Sequence, residues 1–521
     1  MTSRRGVTWD SVALELPVPT SWRRNGAAIG VAMALAATMA AAATSAAILQ
    51  RAGVTLPVQV GADPWHASAW SAPDGTPTLP DMAAVARVVK AQEARNDSAR
   101  GQGIDVALID SGVTPVKGLD GANKLVIGPD LSFDNPSSGV ANLDGFGHGT
   151  AMASIIAGND GVPGGFKGIA PKARIVSVKV GAANGAVDVS QIIAGIDWVV
   201  QHAHDDGLNI RVLNISLGTS SLQPYQLDPL AHAAETAWRK GIVVVASVGN
   251  DGTANRTVAD PAMDPYLIAA GASDPKGTVD TSDDTVAAFS SRGTSERHAD
   301  LVAPGAYIVG LRVPDSSLDQ EFPGARVGDR FFRGSGTSQA AAVVSGGVAA
   351  LLSARPNLNP DQVKRLLKKT ATSITGNVNY IGAGLLNIDA AVNANVSDDI
   401  AQTWPVSTGT GTLEGSRGTS HVAMNGVVLA GEQDIFGNAW NSAQMAAAET
   451  AGATWSGGTY NGATWSGATW SGATWSGATW SGATWSGATW SGATWSGATW
   501  SGATWSGATW SGATWSGGDW A

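Results

Sequence analysis

Val106-Ala107-Leu108-Ile109-Asp110-Ser111-Gly112 is a short apolar run that stops at an acid and a glycine. An unbroken run of this length, closed by turn formers, reads as a strand buried on both faces. Arg174 to Val180, Val212 to Leu217, Ile242 to Val248 and Leu267 to Ala270 read the same way. Between them, Ala151 to Ala157, Ser190 to His202 and Pro229 to Arg239 read as helices. Strands alternating with helices imply an α/β layer fold with a parallel sheet. Ligands of such sheets sit beyond the carboxyl ends of the strands. Asp110 ends one expected strand and Asn250 follows another. A further helix, Ser338 to Arg355, is rich in Ala, Ser and Gly, which calls for close packing in the domain centre. Asn359 to Thr370 opens with Asn-Pro, a helix-start signal.

Two distant segments share the glycine-rich character of the first: Gly147-His148-Gly149-Thr150 and Gly334-Ser335-Gly336-Thr337-Ser338. Taken singly, each has a bland reading. Asp110 is a strand-ending turn residue, His148 a structural histidine and Asn250 a turn former. Taken together, they supply an acid, a base and a hydroxyl. A serine nucleophile needs a base beside it and an acid behind the base. The chain order Asp, His, Ser is one of the known orders of that constellation.

Residues 101 to about 393 resemble the subtilases, the subtilisin-like serine peptidases. The aspartate, histidine and serine segments carry the resemblance. So do Gly168-Ile-Ala-Pro171, Asn214-Ile-Ser-Leu-Gly218, Phe289-Ser-Ser-Arg-Gly293, Val302-Ala-Pro-Gly305 and Gly382 to Leu386. It implies a subtilisin-like parallel β-sheet flanked by helices. Ser338 would be the nucleophile, His148 the base, Asp110 its partner and Asn250 the oxyanion donor. Ser216, Leu217 and Gly218 would pair with extended substrate. Ala259 would floor a roomy, mainly apolar specificity pocket suited to large hydrophobic residues. Four positions depart from the family pattern: Ala151 and Met152 after the histidine segment, Gln339 after the serine, and Ala342 where proline is usual. Calcium is common in the family, and Asn159-Asp160 is the candidate site for it here. No metal site and no other cofactor is assigned.

The net charge of −10 provides no basic patch for nucleic acid. The absence of cysteine excludes disulfides and thiol catalysis. His202 and His204, before Asp205-Asp206, read as a solvated helix end and not as a zinc site.

Trp22-Arg23-Arg24 precedes an alanine-rich apolar run from Gly26 to Leu49. Residues 1–50 thus read as a signal peptide or as an uncleaved anchor, with the peptidase domain outside the cell. Residues 51–98 read as a connector or reduced propeptide, with an amphipathic stretch at Met82 to Glu93. The peptidase domain spans 99–395, and 396–452 reads as a Gly/Thr/Ser-rich linker. From 453 to 521 the unit Ala-Thr-Trp-Ser-Gly repeats with period five. It resembles the pentapeptide repeats. Its two readings are a square β-solenoid, which keeps the tryptophans on one side, and a disordered tail. The tail could serve self-association or cell-wall binding. The leading function is an exported serine endopeptidase of broad specificity acting on proteins or peptides. The alternative is a catalytically impaired surface protein whose repeats mediate adhesion or assembly.

Overall fold

A computed structural model of the chain describes residues 56–65, 81–95, 98–134, 142–253, 257–397, 400–456 and 459–464, together with short strands between 470 and 516. The expected signal or anchor, 1–50, lies outside the described residues. The strands that position the site are β1 (Val58–Gly61), β2 (Asp105–Asp110), β3 (Leu125–Asp130), β4 (Arg174–Lys179), β5 (Ile210–Ile215), β6 (Val243–Ser247), β7 (Ile268–Asp274), β8 (Thr285–Val286) and β9 (Leu301–Pro304). Those from β2 to β9 form one eight-stranded sheet in the order β3-β4-β2-β5-β6-β7-β8, with β9 also paired to β7. Every pairing is parallel except β7 with the short β8. The central strands β2 and β6 are buried along their whole length, as their unbroken apolar runs require.

After β2 the chain builds β3 and β4 on one side, then returns to place β5 on the other. The carboxyl ends of β2 and β5 therefore flank a switch in strand order, where open α/β sheets bind ligands. Asp110 ends β2 and Ser216 immediately follows β5.

Helices α1 (His148–Ala157), α2 (Val189–His202), α3 (Pro229–Arg239), α4 (Thr337–Ala354) and α5 (Pro360–Thr370) surround the sheet. Helix α4 is long and apolar enough to cross a membrane, but it is almost wholly buried inside the protein. It packs on α1 and on β5, β6, β7 and β9, and Ser345 bonds Asn214 of β5 at 2.8 Å. Local chemistry sets the helix starts. Asp188 and Asn359 cap α2 and α5 in reciprocal capping boxes with Gln191 and Gln362. Asp228 caps α3, with Pro229 in its first turn. The stretch Met82 to Glu93 forms two helices, Met82–Val88 and Ala91–Ala94, separated where Lys90 takes φ 58°.

The stretch expected to be a linker, 396–452, is instead folded against the α/β core. Ser420–Met424 pairs antiparallel with β1, and the helices Leu413–Arg417 and Ser442–Ala451 follow the usual rules of capping by Thr412 and Asn441. Arg417 explains why this segment docks. Its fully buried guanidinium bonds both oxygens of Asp188 at 2.7 and 3.3 Å and the carbonyls of Gly431 and Gln433 at 2.6 Å.

The first units of the repeat are docked as well. Trp455 donates its indole N–H to the Ala194 carbonyl at 3.0 Å, and the buried Tyr460 hydroxyl donates to Asp197 at 2.8 Å. Beyond them, strands pair in parallel at an interval of four units, such as Trp475 with Trp495 and Trp495 with Trp515.

Candidate active site

Asp110 and His148 meet at the end of β2. The Asp110 Oδ1 lies 2.8 Å from His148 Nδ1, and both side chains are buried. His148 opens α1, and the loop before it is fixed by Asp144. That buried carboxylate accepts the Gly147 and Thr150 N–H groups at 2.6 and 2.7 Å and the Ser111 hydroxyl at 2.8 Å. Ser111 in turn accepts the Gly149 N–H at 3.0 Å, tying the strand carrying the acid to the helix carrying the imidazole. Burial raises the Asp144 pKa against these hydrogen bonds. Burial pulls the His148 pKa down, but the Asp110 charge and hydrogen bond, with smaller pushes from Asp144 and Asp63, outweigh it, so the imidazole titrates above its ordinary value.

Ser338 lies in the first turn of α4. Its hydroxyl donates to the Ser216 carbonyl at 2.8 Å, and the Ser216 hydroxyl donates to the Ser338 carbonyl at 3.2 Å. Ser338 is thereby locked to the chain just after β5, the neighbour of β2. Asn250, after β6, accepts the Thr337 N–H at 2.8 Å and the Thr337 hydroxyl at 3.0 Å through Oδ1. This fixes the amide so that Nδ2 is its donor end, directed towards Gly336, where a Cβ would lie 3.3 Å from it. The Thr337 hydroxyl also accepts the Gly249 N–H at 3.2 Å.

Ser216 and Leu217 are buried and Gly218 follows them. Thr219 then exchanges backbone hydrogen bonds of 3.0 and 2.9 Å with Asp260. That pairing brings Ala259 beside the strand, its methyl 3.2 Å from where a Gly218 Cβ would stand and 3.5 Å from that of Gly249. All eight site positions named from the sequence thus lie at the carboxyl edge of the sheet or on the segment packed against it. Asn159-Asp160 behaves differently. Asp160 is taken up by the Arg330 guanidinium and the Phe166 N–H, so a cation already neutralises the carboxylate proposed for calcium. No group of three or more metal-binding side chains occurs among the described residues. His202 stacks on Trp198 at 4.6 Å and bonds its carbonyl.

The sequence reading missed three contributors. Asp144 organises the histidine turn, Thr337 orients Asn250, and Trp65 covers His148. The first has one signal, an acid four residues before the histidine. Trp65 has none, because its contact joins distant parts of the chain. Its ring lies 5.1 Å from the His148 ring and 5.5 Å from that of Phe146. The adjoining Pro64 carbonyl accepts the Gly218 N–H at 3.1 Å.

An acid–imidazole pair at the end of β2, and a serine at a helix start tied to the chain just after the neighbouring β5, are groups of the kind a serine hydrolase uses. The profile of the subtilase family matches residues 101–387. Serine protease AprX of Bacillus subtilis (strain 168) is 36% identical over 322 residues, covering 60% of this chain and 72% of that protein. Subtilisin DY of Bacillus licheniformis is 32% identical over 310 residues, covering 58% of this chain and 96% of the relative. Among solved structures, fervidolysin from Fervidobacterium pennivorans, a keratinolytic enzyme related to subtilisin, superposes with a TM-score of 0.50 at 26% identity. That match covers 66% of this chain and 51% of the other, so the chain spans about half the length of that structure. The chain belongs to the subtilase family and is a serine-type endopeptidase.

Proposed function

We propose that peptide-bond hydrolysis here runs through Asp110, His148 and Ser338, with Asn250 stabilising the oxyanion. The buried 2.8 Å contact between Asp110 and His148 Nδ1 carries this reading, because it fixes the tautomer that leaves Nε2 to act as base. To attack, the Ser338 hydroxyl exchanges the Ser216 carbonyl for that nitrogen. It adds to the scissile carbonyl while its proton passes to His148. The carbonyl oxygen takes the negative charge and is held by Asn250 Nδ2 and the Ser338 N–H, at a helix start whose dipole favours an anion. His148 then protonates the leaving amine. Water hydrolyses the acyl-enzyme by the same route in reverse.

Ser216, Leu217 and Gly218 supply main-chain pairing to extended substrate, which gives affinity with little selectivity. The small Ala259, flanked by Gly218 and Gly249, leaves room for a large hydrophobic residue before the scissile bond. The positive flank and apolar run of the first fifty residues support export, with the domain outside the cell either free or anchored. The repeats serve location.

Labelling with a fluorophosphonate tests the core of the proposal. The wild type should react and Ser338→Ala should not. Asn250→Ala should still label but lose kcat with KM little changed, since its donor acts on the transition state. Equal labelling of Ser338→Ala would remove the assignment.

A further inference from the structure

The substrate edge of this protein already carries a piece of its own chain. Pro64 pairs with the Gly218 N–H, and Trp65 lays its indole against the His148 and Phe146 rings. The indole N–H donates to the Gly185 carbonyl, and only 3% of the residue remains exposed. So complete a fit needs space behind the ring, and Gly181 provides it. A Cβ at that position would stand 2.5 Å from Trp65 Cζ2 and 3.0 Å from Cη2, with Ser111 Cα next at 3.3 Å. The Gly181 backbone lies outside the left-handed region, so its conformation does not call for glycine. The ring does.

We propose that Gly181 is a specificity-determining residue of the peptidase, opening a subsite for an aromatic side chain, tryptophan best, in the substrate residue next before the scissile one. The subsite is walled by Phe146, His148 and the Gly185 carbonyl. It is separate from the pocket floored by Ala259, and it rests on the peptidase reading above. The register follows from Pro64. A substrate strand laid antiparallel in that register sets the residue two further on opposite Ser216, beside the Ser338 hydroxyl. The intervening residue then falls where Trp65 lies, over the imidazole. Tryptophan is favoured over phenylalanine because the Gly185 carbonyl, buried under the ring, is left without the indole donor when phenylalanine binds.

The test uses the full chain and fluorogenic peptides that differ only at the residue next before the scissile one: Trp, Phe or Ala. Fragment masses fix the bond cut. Trp65 competes with all three alike, so ratios of kcat/KM do not depend on how often it occupies the site. The wild type should favour Trp over Ala by about tenfold or more, with Phe between them. Gly181→Val should bring the kcat/KM values for Trp and Ala within about twofold of each other, and the variant should still label with the fluorophosphonate. Gly181→Ala, the smallest addition, should reduce the preference partially and guards against misfolding of the valine variant. A labelled wild type with equal kcat/KM for Trp and Ala overturns the proposal alone, as does a Trp preference that survives in a labelled Gly181→Val. A wild type that does not label overturns the peptidase reading and the proposal with it.

Discussion

His148 sits among three carboxylates that all favour its charged form: Asp110 in contact, then Asp144 and Asp63 at longer range. The proposed mechanism needs the neutral ring as base. Activity is therefore lost as pH falls through the raised pKa and recovered above it, and the acid limb of kcat/KM should have its midpoint above the ordinary value of 6.5. Asp63→Asn removes one of the three charges while keeping an acceptor for the Trp65 backbone N–H, which donates to Asp63 Oδ1 at 3.0 Å. That variant should move the limb to lower pH by roughly a few tenths of a unit. A profile measured from pH 5 to 9 on both proteins decides it; a wild-type midpoint below 6.5 contradicts the electrostatics. At this scale the sequence marked the groups proposed for catalysis but not those that hold them. Asp110, His148, Ser338 and Asn250 stand out through their glycine-rich surroundings. Thr337 and Asp144 act through hydrogen bonds that exist only once the turns have formed.

The strands and helices of the core were legible for a simple reason. A strand buried on both faces must be apolar at every position, so β2 and β6 announce themselves, and capping residues such as Asp188, Asp228 and Asn359 mark helix starts. The segment 396–452 was not legible because its strands are short and half exposed. Ser420–Met424 is a strand by virtue of pairing with β1, and Gln59 bonds Ser420 across 361 positions of sequence. Its anchor is the pair of Arg417 with Asp188, the cap of α2, and both side chains are wholly buried. Removing one partner of such a pair leaves the other charge in a low-dielectric interior. Arg417→Ala should therefore cost about 3–5 kcal/mol of unfolding free energy. Arg417→Lys should recover little of it, because a single ammonium cannot reproduce the planar fork that reaches two carboxylate oxygens and two carbonyls. Urea unfolding in a Ser338→Ala background, which suppresses self-digestion, measures both. An Arg417→Ala protein as stable as its parent would show that the pair contributes nothing net.

Across the whole molecule, both flanks of the α/β core converge on the cleft. β1 is held by Ser420–Met424, and the turn that follows it is tied by the Ala62 N–H to Thr419 and by Ser420 to Ala62 before Trp65 enters the site. The repeat array divides into two parts by the same physical test. Trp455 and Tyr460 are hydrogen-bonded to α2, and Tyr460 is 1% exposed with its hydroxyl on a buried carboxylate. The later strands pair with one another every twenty residues. Two truncations separate the parts. A chain ending after Thr464 keeps Tyr460 and should match the full chain in both turnover and urea midpoint. A chain ending after Gly452 loses an aromatic side chain from the core and leaves Asp197 without its hydroxyl partner. It should be destabilised by about 3–5 kcal/mol, the range for deleting a buried aromatic. Turnover should fall only as far as unfolding demands, because Trp455 and Tyr460 are bonded to Ala194 and Asp197 of α2, and α2 carries none of the residues proposed for catalysis. Measuring kcat/KM at a temperature where both truncated chains are folded checks this. A marked drop in the shorter chain while it remains folded would place the docked units in the catalytic machinery, and an unchanged urea midpoint would show that burying Tyr460 contributes nothing net to stability.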